Sequence, residues 1–329
     1  MSETISSAAS RVALRASGKP KPATFAMYVF VGLVAALVIV GAFTTQGFLT
    51  AGNFRAIITS AAFVGIMAVG ATLIMLGGSL FSISLGLTTA LTSIIFMYAL
   101  SLGIVPAMLA ALLAGTLIFM VQGAIIGAIG ANPIIVTIGA GAIQDGLIGW
   151  ISPGDVVPPP GVDIDFLART YFNLPVSVYV FIAVAIVTDL WVRRSQFGRE
   201  LYMLGENPRA ARAAGLPVER LTITAFAVSG CCVAIAAILI AGFAKNVNLQ
   251  VQGTYTFDVI AAILVGGNAV TGGRGSVGRT VVGALVIATI SDILLLLGAS
   301  TGMQTLVKGL IVLVVVVLLH LTQREGRAS

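Results

Sequence analysis

The residues Gly273-Arg274-Gly275-Ser276-Val277-Gly278 spell G-x-G-x-x-G, a pattern that can cradle a dinucleotide pyrophosphate, and with Arg279 and Thr280 they come within one residue of a phosphate-binding P-loop. Both chemistries fail on their requirements. A P-loop needs a lysine to reach the β and γ phosphates where this chain carries Arg279, and neither pattern here follows a soluble strand or opens a βαβ unit. No acidic residue stands about 20 positions beyond the run to hold a ribose. A tight turn between apolar segments, flanked by Arg274 and Arg279, accounts for the same residues. The chain is therefore not expected to hydrolyse ATP.

Acid–base and nucleophilic chemistry are equally hard to assemble. The single histidine, His320, falls at the end of the last apolar stretch, where an interfacial role suits it better than general-base work. Asp145, Asp258 and Asp292 lie in or beside apolar stretches, where a carboxylate is costly; it either hydrogen-bonds near a helix end or between helices, or it senses a proton. Cys231 and Cys232 are adjacent, so a disulfide between them would be strained, and they read as two small apolar core residues. No enzyme activity, metal or cofactor is expected from this inventory.

Uncharged polar groups are more informative. Ser82, Ser84, Gln122, Asn132, Thr137, Gln144 and Asn268, with Ser79, Thr88, Thr89 and Thr271 near them, scatter hydroxyls and amides through apolar sequence. Such groups suit a path that hands a polyhydroxylated neutral solute along by exchangeable hydrogen bonds. Each of them would equally serve to satisfy a backbone carbonyl of its own helix.

Only elements that sit in a bilayer can position these groups. Of 329 residues, 58% are apolar and 9% charged, and the mean hydropathy is +1.07. Polar side chains cannot cover that much apolar surface. Spans of about 20 residues fit near Phe25 to Phe43, Phe54 to Leu76, Ile83 to Leu102, Val105 to Ile126 and Pro133 to Ile151. They fit again near Pro175 to Val192, Leu221 to Ala244, Phe257 to Val270, Thr280 to Leu297 and Met303 to Leu319. The expected fold is all-α, a polytopic membrane protein of about ten transmembrane helices, with a short span at Phe257 to Val270 and a possible break at Gly77-Gly78.

Orientation follows from the basic residues. With both termini cytoplasmic, Arg11, Arg15, Lys19, Lys21, Arg193, Arg194, Arg199, Arg209, Arg212, Arg220, Arg274, Arg279, Arg324 and Arg327 fall inside. Only Arg55, Arg169, Lys245 and Lys308 are left outside. Topology thus accounts for the net charge of +6, and nucleic acid is not an expected partner. Residues 1–24 predict a disordered cytoplasmic tail, 25–320 a transmembrane domain and 321–329 a cytoplasmic tail. The first apolar run lacks a small-residue cleavage site and is read as a span rather than a signal peptide.

The connection from Arg193 to Arg220 carries a polar helix of its own, Gly205-Glu206-Asn207-Pro208-Arg209-Ala210-Ala211-Arg212-Ala213-Ala214-Gly215. Asn207 suits the N-cap, Pro208 the first helical position and Gly215 the left-handed position after the last turn, and Pro217 stops the helix. About two turns of helix are marginal alone in water, so this one is expected to lean on its own chain and on a partner. Two weaker patterns accompany it. Ala71 to Gly78 followed by Ser84-Leu85-Gly86 echoes Ala261 to Gly267 followed by Ser276-Val277-Gly278, either a trace of duplication or glycine-rich helix ends that look alike. Gly123 and Gly127 form a small-xxx-small pair that would allow close helix packing.

Several stretches are specific in combination: Gly65 to Gly70, Asn132 to Gly139, Gly205 to Gly215, Phe257 to Ala262, Val265-Gly266-Gly267 and Gly272 to Gly278. Through them the chain resembles, from about Asn53 to Leu318, the ribose-type membrane permease family of bacterial ABC importers, whose members serve ribose, xylose, arabinose and related small solutes. The resemblance implies a cell inner membrane location among lipid, a separate ATP-binding subunit, an external substrate-binding protein, and a second permease copy or paralogue. It makes Gly205 to Gly215 the coupling helix, with Gly205, Glu206, Asn207, Pro208, Ala210, Ala211, Ala214 and Gly215 at the ATPase cleft and the alanines forming a close-fitting contact. Two departures imply a changed polar network: Ser82 where many members carry Asp, and Asp145 before Gly146 where many carry Arg. Other readings are a permease subunit for a branched-chain amino acid, nucleoside or urea, or an ion-coupled secondary transporter.

Overall fold

The computed structural model describes residues 41, 45, 47–79, 81–152, 156–157, 164–245 and 247–325. The chain divides after Thr44 into two units; of the first only Gly41 is described, and all that follows concerns the second. The tail expected at residues 1–24 lies outside the described residues, as does nearly all of the span expected at Phe25 to Phe43.

Backbone hydrogen bonds must be satisfied within each element in hydrocarbon, and the described residues are mostly helical accordingly. In chain order the helices are α1 (Ala51–Leu76), α2 (Leu85–Ala99, prolonged by a 3-10 turn at Leu100–Leu102), α3 (Ile104–Ile129), α4 (Pro133–Ile151), the short α5 (Asp165–Ala168) and α6 (Val176–Arg194). They continue with α7 (Gln196–Glu206), α8 (Pro208–Ala213), α9 (Val218–Ala244), α10 (Leu249–Val265), α11 (Val277–Leu296) and α12 (Thr301–Glu325). Among the described residues seven helices, α1 to α4, α6, α9 and α11, are long and apolar enough to cross a membrane, and shorter apolar stretches lie at Thr254–Val265 and Thr301–Val315. The molecule is a polytopic all-α membrane protein.

Local chemistry sets the boundaries. The Thr50 hydroxyl accepts from the Asn53 amide at the start of α1, and Asn132 does the same for Ile134 ahead of Pro133 in α4. Helix α10 starts well before the apolar run that predicted it and stops at Val265, short of Val270, because Gly266-Gly267 caps it. That cap repeats the end of α1. Gly77 N–H donates to Leu73 O and Gly78 N–H to Met75 O, while Gly266 donates to Ala262 O and Gly267 to Leu264 O, with Gly78 and Gly267 both left-handed. The two halves of the sequence echo therefore end their helices in the same way. The last helix runs to Glu325, into the stretch read as a tail.

Helix α1 is the core: every residue from Ala61 to Leu76 is buried, packed by α6, α9, α10 and α11. The most extensive helix pair is α3 with α9, and glycine makes it possible. A Cβ on Gly123 would stand 2.7 Å from the Phe226 Cβ, and one on Gly127 would stand 3.1 Å from the Glu219 carbonyl oxygen. The small-residue pair is thus spent inside the chain. Two-residue strands join the connections at the far ends of the helices, Val156–Val157 (β1) with Val247–Asn248 (β4) and Thr170–Tyr171 (β2) with Leu174–Pro175 (β3), both antiparallel.

Candidate functional site

Helix α7 leaves α6 through a bend at Ser195, whose hydroxyl accepts from the Gly198 amide. Trp191 and Phe197 stack across that bend with centroids 4.5 Å apart. Leu201, Leu204 and Gly205 form the buried side of α7, while Arg199 and Met203 face outward. Tyr202, half-buried, donates to the Gly275 carbonyl at 2.9 Å. Burial pushes its phenol above the ordinary value against the opposing pull of Arg193, so it stays a donor at physiological pH.

Asn207 closes α7 and opens α8, its Oδ1 accepting from the amides of Arg209 and Ala210 at 3.1 Å each. At the other end Gly215, left-handed at φ 77, donates to Arg212 O, and Leu216 N–H reaches back to Ala211 O. Every cap expected of this segment is in place, but Gly205 and Glu206 belong to α7, and α8 proper is one short helix of six residues. Ala211 is also not a surface residue. It is buried against Leu204 and Leu221, with Leu216, Val218 and Phe197 around them, so α8 is seated on α7 and α9 by its apolar side. Glu206, Asn207, Pro208, Ala210, Ala214 and Gly215 remain exposed, and Ala210 and Ala214 are the alanines of the expected contact that face outward.

Beneath this surface the chain crosses itself at glycine. A Cβ on Gly205 would run into the Leu76 carbonyl oxygen and the Gly273 amide nitrogen. Gly273 N–H donates to Leu76 O at 3.0 Å, and Gly272 packs against Gly78. The C-terminal end of α7 therefore bears at one point on the end of α1 and on the turn from α10 to α11. Asn268 holds that turn: Nδ2 donates to Ile263 O and Thr280 Oγ1, and Oδ1 accepts from the Ser276 amide at 2.8 Å. Its polar atoms are consumed there, and Gly275 lies against Oδ1 with no room for a phosphate. The G-x-G-x-x-G run is a packed turn, and Asn268 is a structural brace instead of a solute contact.

The other polar residues separate into two groups. Ser84 donates to Gln122 Oε1 at 3.1 Å, Ser82 and Ser84 share a hydrogen bond of the same length, and Thr88 donates to Gln144 Oε1 at 2.9 Å. These bonds tie α3 and α4 to the start of α2, where Thr256 of α10 also accepts from the Gly86 amide. Irregular backbone ahead of α2 is thereby satisfied inside protein. Among the described residues the buried Gln122 Nε2 has no partner. Asn132, exposed, only caps α4, and Thr137 bonds to its own helix at Ile134 O. Two adjoining grooves flank the start of α2 and share Ile83 and Leu87. One, of about 620 Å³, reaches Phe81, Ile134, Thr256 and Phe257; the other, of about 270 Å³, is walled by Thr137, Ile138, Gly141, Ala142 and Asp145.

The family model described as branched-chain amino acid transport system / permease component matches residues 53–316. The chain belongs to this permease family. Among its relatives, the Probable ABC transporter permease protein YphD of Escherichia coli is 32% identical over 301 residues, which is 90% of each chain. The ribose import permease protein RbsC of Bacillus subtilis is 28% identical over 88% of this chain and 91% of its own. The L-arabinose transport system permease protein AraH of Escherichia coli is 34% identical over 63% of each. No solved structure matches the chain.

The permease also holds charged contacts that sequence reasoning did not pair. Lys308 of α12 meets Asp258 of α10 at 2.6 Å, both buried. Opposite charges in two apolar spans were the available signal. Asp292 accepts from Asn53 Nδ2 at 2.8 Å, joining α11 to the start of α1. Asp145, by contrast, is exposed on α4. A carboxylate facing hydrocarbon is costly, and Asp145 instead lines the smaller groove against the start of α2. Tyr202 and Thr256, neither singled out by type or spacing, complete the contacts around α7 and α2.

Proposed function

We propose that this permease is the membrane subunit of a bacterial ABC importer in the inner membrane, carrying a sugar or similar small polar solute into the cytoplasm. A separate subunit hydrolyses ATP, an external binding protein delivers the cargo, and two permease copies, identical or paralogous, flank the route. The relatives named for ribose import and L-arabinose transport support the solute class. Ten spans, with both termini on one side, follow if the run at Phe25 to Phe43 crosses and the shorter helices α10 and α12 cross with the seven long ones, and the basic residues make that side the cytoplasm.

One observation carries the coupling role: an exposed, doubly capped helix whose neighbour bears, through Gly205, on the ends of α1 and α10–α11. A partner pulling on α8 would load those core helices through backbone contacts, which suits alternating access. The experiment is co-purification in nanodiscs with the candidate ATPase subunit. Wild type brings the ATPase down and its hydrolysis rises with loaded binding protein, whereas Ala210→Glu or Ala214→Glu inserts normally and loses both. Full transport by either variant refutes the docking role. Ala211→Glu is unsuitable, because burial there makes it a folding test.

A further inference from the structure

Asp145 is the thirteenth residue of the nineteen in α4, which puts it roughly 18 Å along the axis from Pro133 and 9 Å from Ile151. Its rotation is fixed by its neighbour. Gln144 points inward to Thr88, and a helix turns the next residue by about 100°, onto the groove shared with Leu87 of α2 and with Ile83 just ahead of it. Asp145 makes no hydrogen bond or ion pair among the described residues. Around it stand Gly141, Ala142, Gly146 and Gly149, too small to shield a charge, and a Cβ on Gly146 or Gly149 would meet nothing. The exposed apolar rows of α3 (Leu109, Leu113, Leu117) and α6 (Ile182, Ile186) are unbroken, whereas on α4 the exposed Ile135 and Ile138 give way to Asp145, Gly146 and Gly149.

A cation from a second copy would be another cover for the carboxylate. Of the cations in the described apolar helices, Lys308 is buried and committed to Asp258, and Arg55 bonds to Asn173. The open groove against α2 leaves room for water and solute at the carboxylate. A carboxylate only accepts hydrogen bonds, so it takes O–H or N–H donors and repels anions, while Ile83, Leu87 and Ile138 offer apolar wall to the C–H face of a ring.

We propose that Asp145 is the charged contact of the solute route, lining a water-filled groove between α2 and α4, where it receives the hydroxyls of neutral polyhydroxylated solutes and turns anionic ones away. This rests on the reading of the chain as a solute permease. Its test needs no knowledge of the cargo.

The assembled importer, in membranes and with Cys231 and Cys232 replaced by alanine, carries Ala142→Cys one turn from Asp145. Reaction with a cationic trimethylammonium methanethiosulfonate and with its anionic sulfonate counterpart is timed, each rate normalised to a free small thiol. The expected result is labelling far faster than at the lipid-facing control Ile182→Cys, with the cation favoured by about tenfold, the size a carboxylate at close range gives in partly screened surroundings. Adding Asp145→Asn removes the preference and leaves the access. Labelling no faster than the control, or a charge preference that Asp145→Asn leaves unchanged, overturns the proposal. Access and preference without any ATP-dependent uptake would instead count against the importer reading and leave the aqueous groove standing.

Discussion

Gly205 and Gly215 are both helix-end glycines of one loop, yet physically they do different work. Gly215 sits at φ 77 with open space around it, so alanine there meets only the left-handed penalty of about 1 kcal/mol. Gly205 is not left-handed; it is small because the Leu76 carbonyl and the Gly273 amide occupy the space a methyl would need. Both obstacles are backbone, which cannot swing aside, so Gly205→Ala is an overpacking change of about 1–3 kcal/mol or more. Thermal melts of the purified permease will therefore fall well below wild type for Gly205→Ala and only slightly for Gly215→Ala; equal shifts would show that the crossing is not tight. Between them, Asn207→Ala removes an acceptor used by two amides, a loss of about 1 kcal/mol. Asn207→Asp keeps that acceptor and melts near wild type, and if Asp is as damaging as Ala the cap is not what holds α8.

At the scale of elements, α12 is held to α10 by a pair of buried charges, Asp258 and Lys308. Removing one partner strands the other in a low-dielectric interior, at about 3–5 kcal/mol, whereas removing both exchanges an ion pair for apolar contact and is close to neutral. Asp258→Leu alone is expected to lower the yield of folded protein sharply, and Asp258→Leu with Lys308→Leu to restore most of it, read as the monodisperse fraction after detergent extraction. No rescue in the double variant would mean the charges act in something other than stability. The spans themselves were legible in the sequence because hydropathy over about 20 residues reports membrane crossing directly. Helix α7 was not, since Gln196 to Glu206 is polar on one side and carries no such run, and α10 was misplaced because its cap at Gly266-Gly267 overrides the apolar stretch beyond it. For the site, residue types foretold the caps of α8 and the polar character of Ser82, Ser84, Gln122 and Gln144. Six residues of helix are too few to fix a buried face, so Ala211 was placed on the wrong side. Sequence likewise cannot say whether an amide such as Asn268 braces a turn or lines a path, because both uses require the same atoms.

At the scale of the whole molecule, the proposed importer takes its energy from a separate ATP-hydrolysing subunit. The nucleotide-like turn is closed by Asn268, Gly78 and Glu206, and of the carboxylates in the described apolar helices Asp258 and Asp292 are engaged by Lys308 and Asn53 while Asp145 stays open to its groove. In that proposal the lever is α8, which reaches the core through α7 and the Leu76–Gly273 crossing. Vesicles holding the permease alone are therefore expected to let D-ribose or L-arabinose equilibrate at most. With the ATPase subunit, its nucleotide and the loaded binding protein added, the cognate sugar will rise above its external concentration, and a proton ionophore will not abolish the gradient. Uphill accumulation by the permease alone, collapsing on addition of ionophore, would transfer the driving force to an ion site within the spans and make α8 a bystander.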